Sequence, residues 1–277
     1  MTKTWFISGA ASGLGLEMTQ QLLARGDAVA GTSRRDGALA NLEEKYRETL
    51  LVLKLELTDV KSIRAAVDAA FEELGTIDVV VSNAGYGLVG AAEELSDAQI
   101  DQQIATNLVG CIQLIRAALP HMRTQGGGRI VQISSEGGQI AYPNFSLYHA
   151  SKWGIEGFIE AVCQEVAPFG IDFVIAEPGP TATKFREGLV HAESMAVYDD
   201  TPAGQIRRLI QTGAFVLKGD AARTAAAIIS TADREKPELR LALGSAAYQS
   251  ISKALAARLS SIEGQHDVAF AADRPDV

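Results

Sequence analysis

Along the chain, short runs of apolar and β-branched residues recur between longer stretches whose apolar positions repeat every three to four residues. The runs are "TWFIS" (4–8), "AVAGTS" (28–33), "LLVLKL" (50–55), "IDVVVS" (77–82), "RIVQIS" (129–134) and "IDFVIA" (171–176). Their near-continuous apolar character is what a strand buried on both faces requires. Amphipathic stretches lie between them, among them 14–25, 61–74 and 100–121. Alternation of this kind predicts an α/β fold: a parallel sheet with helices on both faces.

After Glu177 the rhythm breaks. "PGPTATKFREGLVHAESMAVYDDTPAG" (178–204) is a long irregular connection in which one or two short helices are expected. Connections of that length inside a compact fold are usually functional, and about 181–215 is read as a substrate-binding loop. A helix over 221–231, a last strand "LRLAL" (239–243) and a helix from 246 follow, and from about 262 to 277 the chain is expected to be a frayed polar tail. No tandem repeat or Pro/Gly-rich linker marks a boundary, so residues 1–277 read as a single domain.

Composition narrows the partners. The chain is 47% apolar and 21% charged with a net charge of −9, which argues against a general affinity for nucleic acid or anionic membrane. An anionic ligand therefore needs a local positive site. Cys111 and Cys163 stand far apart in helical contexts and read as reduced core thiols, and the histidines at 121, 149, 191 and 266 lack metal-ligand spacing, so no metal is expected. "MTKTWFISGA" runs straight into a strand without a signal-peptide pattern, and no apolar run is long enough to span a bilayer. A cytoplasmic protein is expected.

Two stretches carry candidate chemistry. The first strand leads into "SGAASGLG", where Gly9, Gly13 and Gly15 flank Ser12 and Leu14. A tight turn there brings bare backbone N–H groups to a pyrophosphate at the positive end of the following helix. The alternative is a plain strand–helix turn, but the first βα unit is where dinucleotides bind. The next strand ends in Ser33, Arg34 and Arg35 rather than in an acidic residue that would hold a free ribose hydroxyl. The planar guanidinium of Arg34 suits a 2′-phosphate, so NADP(H) is favoured over NAD(H); Arg35 is either a second contact or solvated. In "YHASK", Tyr148 and Lys152 stand four apart, one turn of helix on one face. They form either a surface pair or an acid–base pair, in which the ammonium favours the phenolate.

With "SGAASGLG", "SNAG" (82–85), "ISSEGG" (133–138), "YHASK" and "EPGPTAT" (177–183) in this order, residues 3 to 185 resemble the short-chain dehydrogenase/reductase family. "YHASKWGIEGF" and "PELRLALGSAA" resemble its branch with 17β-hydroxysteroid and retinol dehydrogenase relatives. The resemblance implies a Rossmann-type, three-layer α/β/α domain with a seven-stranded, mostly parallel sheet. It also implies a nicotinamide cofactor and a catalytic set of Ser135, Tyr148, Lys152 and Asn107. Ser135 is the serine thirteen positions before the tyrosine, with Ser134 turned away. Lys152 has a second implied role at the nicotinamide ribose, and Asn107 is expected to hold a water beside Lys152. Asn83, Ala84 and Gly85 fall at the adenosine side, and Pro178, Gly179, Thr181 and Thr183 at the nicotinamide and phosphate side. Three positions depart from the family pattern: Ser8 replaces a threonine, Ser82 an asparagine, and Glu56 an aspartate that meets the adenine. With Glu56 the contact can pass to the backbone of Leu57.

These residues imply an NADP(H)-dependent oxidoreductase interconverting a ketone and a secondary alcohol, with Tyr148 as general acid/base and Ser135 holding the substrate oxygen. Ser135, Tyr142, Phe145, Tyr148 and Phe185 are the expected substrate contacts, with Pro143, Asn144, Leu189, Met195, Tyr198 and His191 as further candidates. Apolar walls fit a mostly apolar small molecule. Glu136 is read as a surface carboxylate that is unusual in its place. Relatives pair through helices matching 100–121 and 147–169, which implies a homodimer or homotetramer. The alternatives are a non-catalytic NADP(H)-binding sensor or scaffold, and a nucleotide-sugar epimerase or dehydratase. The sensor should have lost one of the three central side chains. The sugar enzymes carry a differently spaced glycine motif and a longer C-terminal substrate domain.

Overall fold

The computed structural model describes residues 2–274. Seven parallel strands form one sheet: β1 (Thr4–Ile7), β2 (Ala28–Ser33), β3 (Leu50–Lys54), β4 (Val79–Ser82), β5 (Gly128–Ile133), β6 (Ile171–Pro178) and β7 (Arg240–Leu243). Their spatial order is β7-β6-β5-β4-β1-β2-β3. The chain winds outward from β1 to β3, then crosses back to β4 and winds the other way. The crevice at the carboxyl ends of β1 and β4 is therefore the switch point, where open parallel sheets bind ligands. In register, Ile7 stands level with Gly31 on one side and Val81 on the other.

The helices are α1 (Gly13–Arg25), α2 (Ala40–Lys45), α3 (Val60–Leu74), α4 (Asp97–Ile104), α5 (Cys111–Gln125), α6 (Ser146–Val166), α7 (Pro202–Gln211), α8 (Ala221–Ala232), α9 (Ser245–Glu263) and α10 (His266–Ala271). Strand alternation divides the core in two. Trp5 and Ile7 pack with Met18 and Leu22 of α1 and Ile228 of α8, while Phe6 faces the opposite cluster with Ile63, Leu114 and Ile159 of α3, α5 and α6. Both faces of the sheet are thereby covered, which the near-continuous apolar strands require.

Three expectations are corrected. The helix read over 100–121 is interrupted: between α4 and α5 the backbone takes a π-helical turn over Ala105–Gly110. Gly110 permits the approach there, since a Cβ on it would lie 2.6 Å from the Leu57 carbonyl oxygen. The tail expected from 262 is helical through α10, although exposed throughout, and its last three residues lie outside the described residues. Of the two cysteines, Cys111 is buried but Cys163 is half-buried; neither forms a disulfide. No described helix is long and apolar enough to cross a membrane.

Candidate active site

Beyond β1 the chain turns through Gly9 (φ +69°) and Gly13 (φ +54°), a region of backbone space that favours glycine. Gly15 makes the closest approach: a Cβ there would stand 2.3 Å from the Gly9 carbonyl oxygen and 2.6 Å from Asn83 Nδ2. Ser8 ties this turn to β4, its Oγ accepting from the N–H groups of Asn83 (2.8 Å) and Ala84 (3.1 Å). Asn83 Nδ2 donates back to the carbonyls of Ser8 (2.9 Å) and Gly9 (3.3 Å). A serine in place of threonine thus keeps the hydroxyl that the turn needs. Ser12 caps α1 without a side-chain hydrogen bond, leaving the first-turn amides for an anion. This cradle fits a dinucleotide pyrophosphate.

The loop opens into a cavity of about 980 Å³. Every expected catalytic and cofactor residue lines it except Gly15, which is packed beneath the loop, and Asn107. Thr183 faces the glycine turn, its Cβ 3.8 Å from where a Cβ on Gly13 would be. Thr181 Oγ1 donates to the Gly179 carbonyl (2.8 Å), closing the turn after β6. Asn107, in the π-helical turn, commits both ends of its amide to one residue: Oδ1 accepts from Tyr86 N–H (3.1 Å) and Nδ2 donates to the Tyr86 carbonyl (2.7 Å). Its side chain thereby clamps the segment after β4.

At the far end of the cavity Ser135, Tyr148 and Lys152 are all buried. Lys152 Nζ lies 5.6 Å from the Tyr148 ring centroid and donates to the Ile133 carbonyl at 2.9 Å, leaving two further donors. Ser135 Oγ accepts from Gly137 N–H (3.1 Å), so its own proton is free to be donated. Ser134 turns the other way and donates to Glu156 on α6.

His149 holds the segment between the two hydroxyls. Its Nδ1 faces the Gly137 carbonyl (2.8 Å) and its Nε2 accepts from Tyr142 N–H (3.2 Å), an arrangement that needs a neutral ring; burial pushes its pKa down accordingly. The sequence offered no signal for this clamp.

At the adenosine end, Arg34 is three-quarters exposed and its Nη1 lies 4.0 Å from Glu56 Oε2. Glu56 Oε1 accepts from both the N–H (3.2 Å) and the hydroxyl (3.1 Å) of Thr58, so the carboxylate is turned into its own loop.

The substrate end is built from side chains. Tyr142 and Phe145 meet edge-to-face at 5.3 Å, Phe145 and Tyr148 at 6.1 Å, and Phe185 tilts against Tyr148 at 5.9 Å. Leu189 lines the cavity as well, and so do Ile210, Phe215 and Leu217, which the sequence did not single out. Pro143, Asn144, Met195, Tyr198 and His191 are absent from the wall. Asn144 instead supports it from behind at φ +71°, its Nδ2 donating to the Ala203 carbonyl (2.6 Å) and its carbonyl accepting from Gly90 N–H (2.9 Å). Tyr198 hydroxyl donates to Glu93 (2.7 Å).

The long loop is pinned rather than loose. Leu88–Val89 pairs with Val190–His191, and Thr181–Ala182 pairs with Gly219–Asp220. Glu94 accepts from Met195 N–H (2.8 Å) and Ala91 N–H (2.7 Å) and pairs with Arg207 of α7. Burial would raise the Glu94 pKa, but these bonds outweigh it and hold the carboxyl below its usual range.

Behind β5 and β6, Arg240 bridges Glu156 and Glu177, each at 2.5 Å, and Glu160 at 2.7 Å. Burial, together with the neighbouring Glu156, raises the Glu177 pKa to about 7 despite Arg240.

A glycine-lined crevice at the switch point of a parallel sheet, leading to a buried Ser/Tyr/Lys group, defines a dinucleotide-dependent enzyme of Rossmann type. Residues 3–194 match the short chain dehydrogenase family, and the chain belongs to that family. It is similar to Oxidoreductase BOA17 of Botryotinia fuckeliana, 32% identical over 98% of this chain and 99% of that protein. It is also similar to human retinol dehydrogenase 8, 36% identical over 72% of this chain and 65% of that one. A solved short-chain dehydrogenase from Streptomyces avermitilis superposes with a TM-score of 0.90 at 35% identity, covering 98% of both chains. The protein is an oxidoreductase of CH–OH groups with NAD(P) as its acceptor.

Proposed function

We propose that the protein is an NADP(H)-dependent oxidoreductase interconverting a ketone and a secondary alcohol on a mostly apolar small molecule. The observation that carries this reading is that Ser135, Tyr148 and Lys152 line one cavity, with the ammonium 5.6 Å from the phenol ring. A nicotinamide cofactor, when bound, supplies or accepts the hydride. Tyr148 gives its phenolic proton to the carbonyl oxygen in reduction, and its phenolate takes the alcohol proton in oxidation. Ser135 donates to the same oxygen as charge develops on it. Lys152 stabilises the phenolate by its charge and offers its free N–H groups to the ribose. Asn107 acts at one remove, positioning the Tyr86 backbone.

NADP(H) is favoured because β2 ends without a carboxylate and Arg34 and Arg35 line the adenosine end. Residues 181–215 serve as the substrate loop of a single domain. The apolar wall supports an apolar substrate body, as does the likeness to a protein named for retinol. Pairing of copies through α5 and α6 is supported by exposed Val109, Trp153 and Phe169 on and beside those helices. The test is NADPH consumption against aliphatic, aromatic and polycyclic ketones, with NADH and Tyr148→Phe in parallel. Turnover with NADPH that falls by about 10²–10⁴-fold in the variant is expected. If wild type and variant are equally inactive while NADPH binds tightly, the chain is a sensor or scaffold; preference for NADH would overturn the role of Arg34.

A further inference from the structure

Glu136 directly follows Ser135, yet it is 6% exposed and forms part of the cavity wall. The surface carboxylate expected there is a buried one. Its Oε2 accepts from Ser250 Oγ of α9 at 2.8 Å; among the described residues its Oε1 takes no hydrogen bond and no cation pairs with it. The neighbouring cations are engaged elsewhere: Lys152 on the Ile133 carbonyl, Arg240 on three other glutamates, and Arg258 on the Gln139 carbonyl and the Trp153 ring. Burial raises the Glu136 pKa, with Ser250 working against the rise. Across the same wall, the Tyr142 hydroxyl makes no hydrogen bond among the described residues. Burial, then the proximity of Tyr148 and Glu136, keeps it protonated.

A buried carboxyl with an open oxygen is costly unless something donates to it. Among the described residues only Ser250 does so, and its one proton is shared with the Ala246 (2.9 Å) and Ala247 (3.2 Å) carbonyls. We propose that Glu136 and Tyr142 form a polar anchor within the apolar substrate pocket, selecting carbonyl compounds that carry a hydrogen-bond donor, a hydroxyl or an amine, on an otherwise apolar body. The anchor rests on the function proposed above, because it places the donor relative to a carbonyl held at Ser135 and Tyr148. A ketone without a donor leaves Glu136 unpaired, which is the situation in which a polar pocket discriminates strongly.

The test compares kcat/KM for three ketones of one carbon skeleton: unsubstituted, hydroxyl-bearing and amine-bearing. Wild type should prefer at least one donor-bearing ketone by roughly tenfold or more, the scale of one buried hydrogen bond to a charged group. In Glu136→Leu the ratio of donor-bearing to unsubstituted kcat/KM should collapse towards one. Glu136→Gln keeps the volume and an acceptor for Ser250 but removes the charge. Loss of preference in that variant identifies an amine, and retention identifies a hydroxyl. If Glu136→Leu does not fold, as judged by its melting temperature and NADPH binding, Tyr142→Phe takes its place and should lower the same ratio. Equal kcat/KM for all three ketones in wild type, or an unchanged ratio in Glu136→Leu or in its stand-in Tyr142→Phe, overturns the anchor while leaving the reductase standing. Failure of wild type to reduce any ketone with either cofactor overturns both.

Discussion

The two ends of the cavity are built on different principles. At the glycine-loop end, the proposed cofactor end, the wall is backbone and glycines at the tips of neighbouring strands: Gly9, Gly13, Ala84, Gly85 and Gly179. At the other end, the proposed substrate end, the wall is side chains on segments far apart in the chain, with Tyr142 and Phe145 sharing it with Phe185, Ile210 and Leu217. A backbone site depends on where the chain turns, and turns are set by local residue types at fixed spacing. A side-chain site depends on how a long loop docks. The first can keep its form while the second is rebuilt for another substrate.

This contrast can be broken by substitution. The largest effect is expected from Gly15→Ala, whose methyl would stand 2.3 Å from the Gly9 carbonyl oxygen. The loop must move, and NADPH affinity in a fluorescence titration should fall by about 100-fold, or about 2.7 kcal/mol. Affinity near wild type would mean that the cofactor end is as adaptable as the other.

Next comes Glu177→Gln, at the end of β6 where the chain leaves the sheet for the substrate loop. The folded-state pKa of about 7 lies above the ordinary value of 4.5. The native protein therefore holds this proton more tightly than the unfolded chain does. Stability from that proton is present below about pH 4.5 and is lost as pH rises through about 7. The variant should lack this loss and be the more resistant to urea at pH 8, by on the order of 2 kcal/mol. Identical pH profiles would mean that Arg240 compensates fully.

Arg34→Ala should weaken NADPH by about tenfold, the scale of one charge-assisted contact, and leave NADH unaffected. Equal losses for the two cofactors would remove the 2′-phosphate from the argument. The smallest effect is expected from Phe185→Ala, which is 41% exposed. It should raise KM for an apolar ketone by about fivefold, the cost of part of one apolar contact, with cofactor affinity unchanged. A parallel drop in cofactor affinity would show that the two ends are not separable.

The same contrast explains what could be read from the chain. The five inner strands were legible because parallel strands buried on both faces leave dense apolar runs, and the partly exposed edge strands β3 and β7 because their apolar residues still cluster. The glycine loop and the Ser135/Tyr148/Lys152 group were legible because fixed offsets carry them. The π-helical turn was not: "ATNLVG" fits helical periodicity, and the departure comes from Asn107 clasping the Tyr86 backbone and Gly110 meeting Leu57. Glu136 was misread because its burial is imposed by α9, more than a hundred residues later, through Ser250. Tyr198 and Met195 were only further candidates for the pocket, and they lie off its wall because the loop docks with Glu94 and Arg207 as its anchor, an ion pair with no local signature. The exposed helix α10 replaced an expected frayed end because "HDVAFA" is short and its apolar positions face solvent.

The Arg240 bridge has a consequence for the order of events during synthesis. Glu156 and Glu177 belong to the middle of the sheet and its covering helix, yet their shared cation follows them in sequence by 84 and 63 residues. A ribosome that has just released β6 has made two carboxylates with no counter-charge, in a place that must later be dry. The substrate-side half of the sheet should therefore stay open until β7 arrives to zip along β6 and neutralise it. The first three strands await no such distant cation, since Asp27, the buried carboxylate beside them, pairs with Arg25 two residues away.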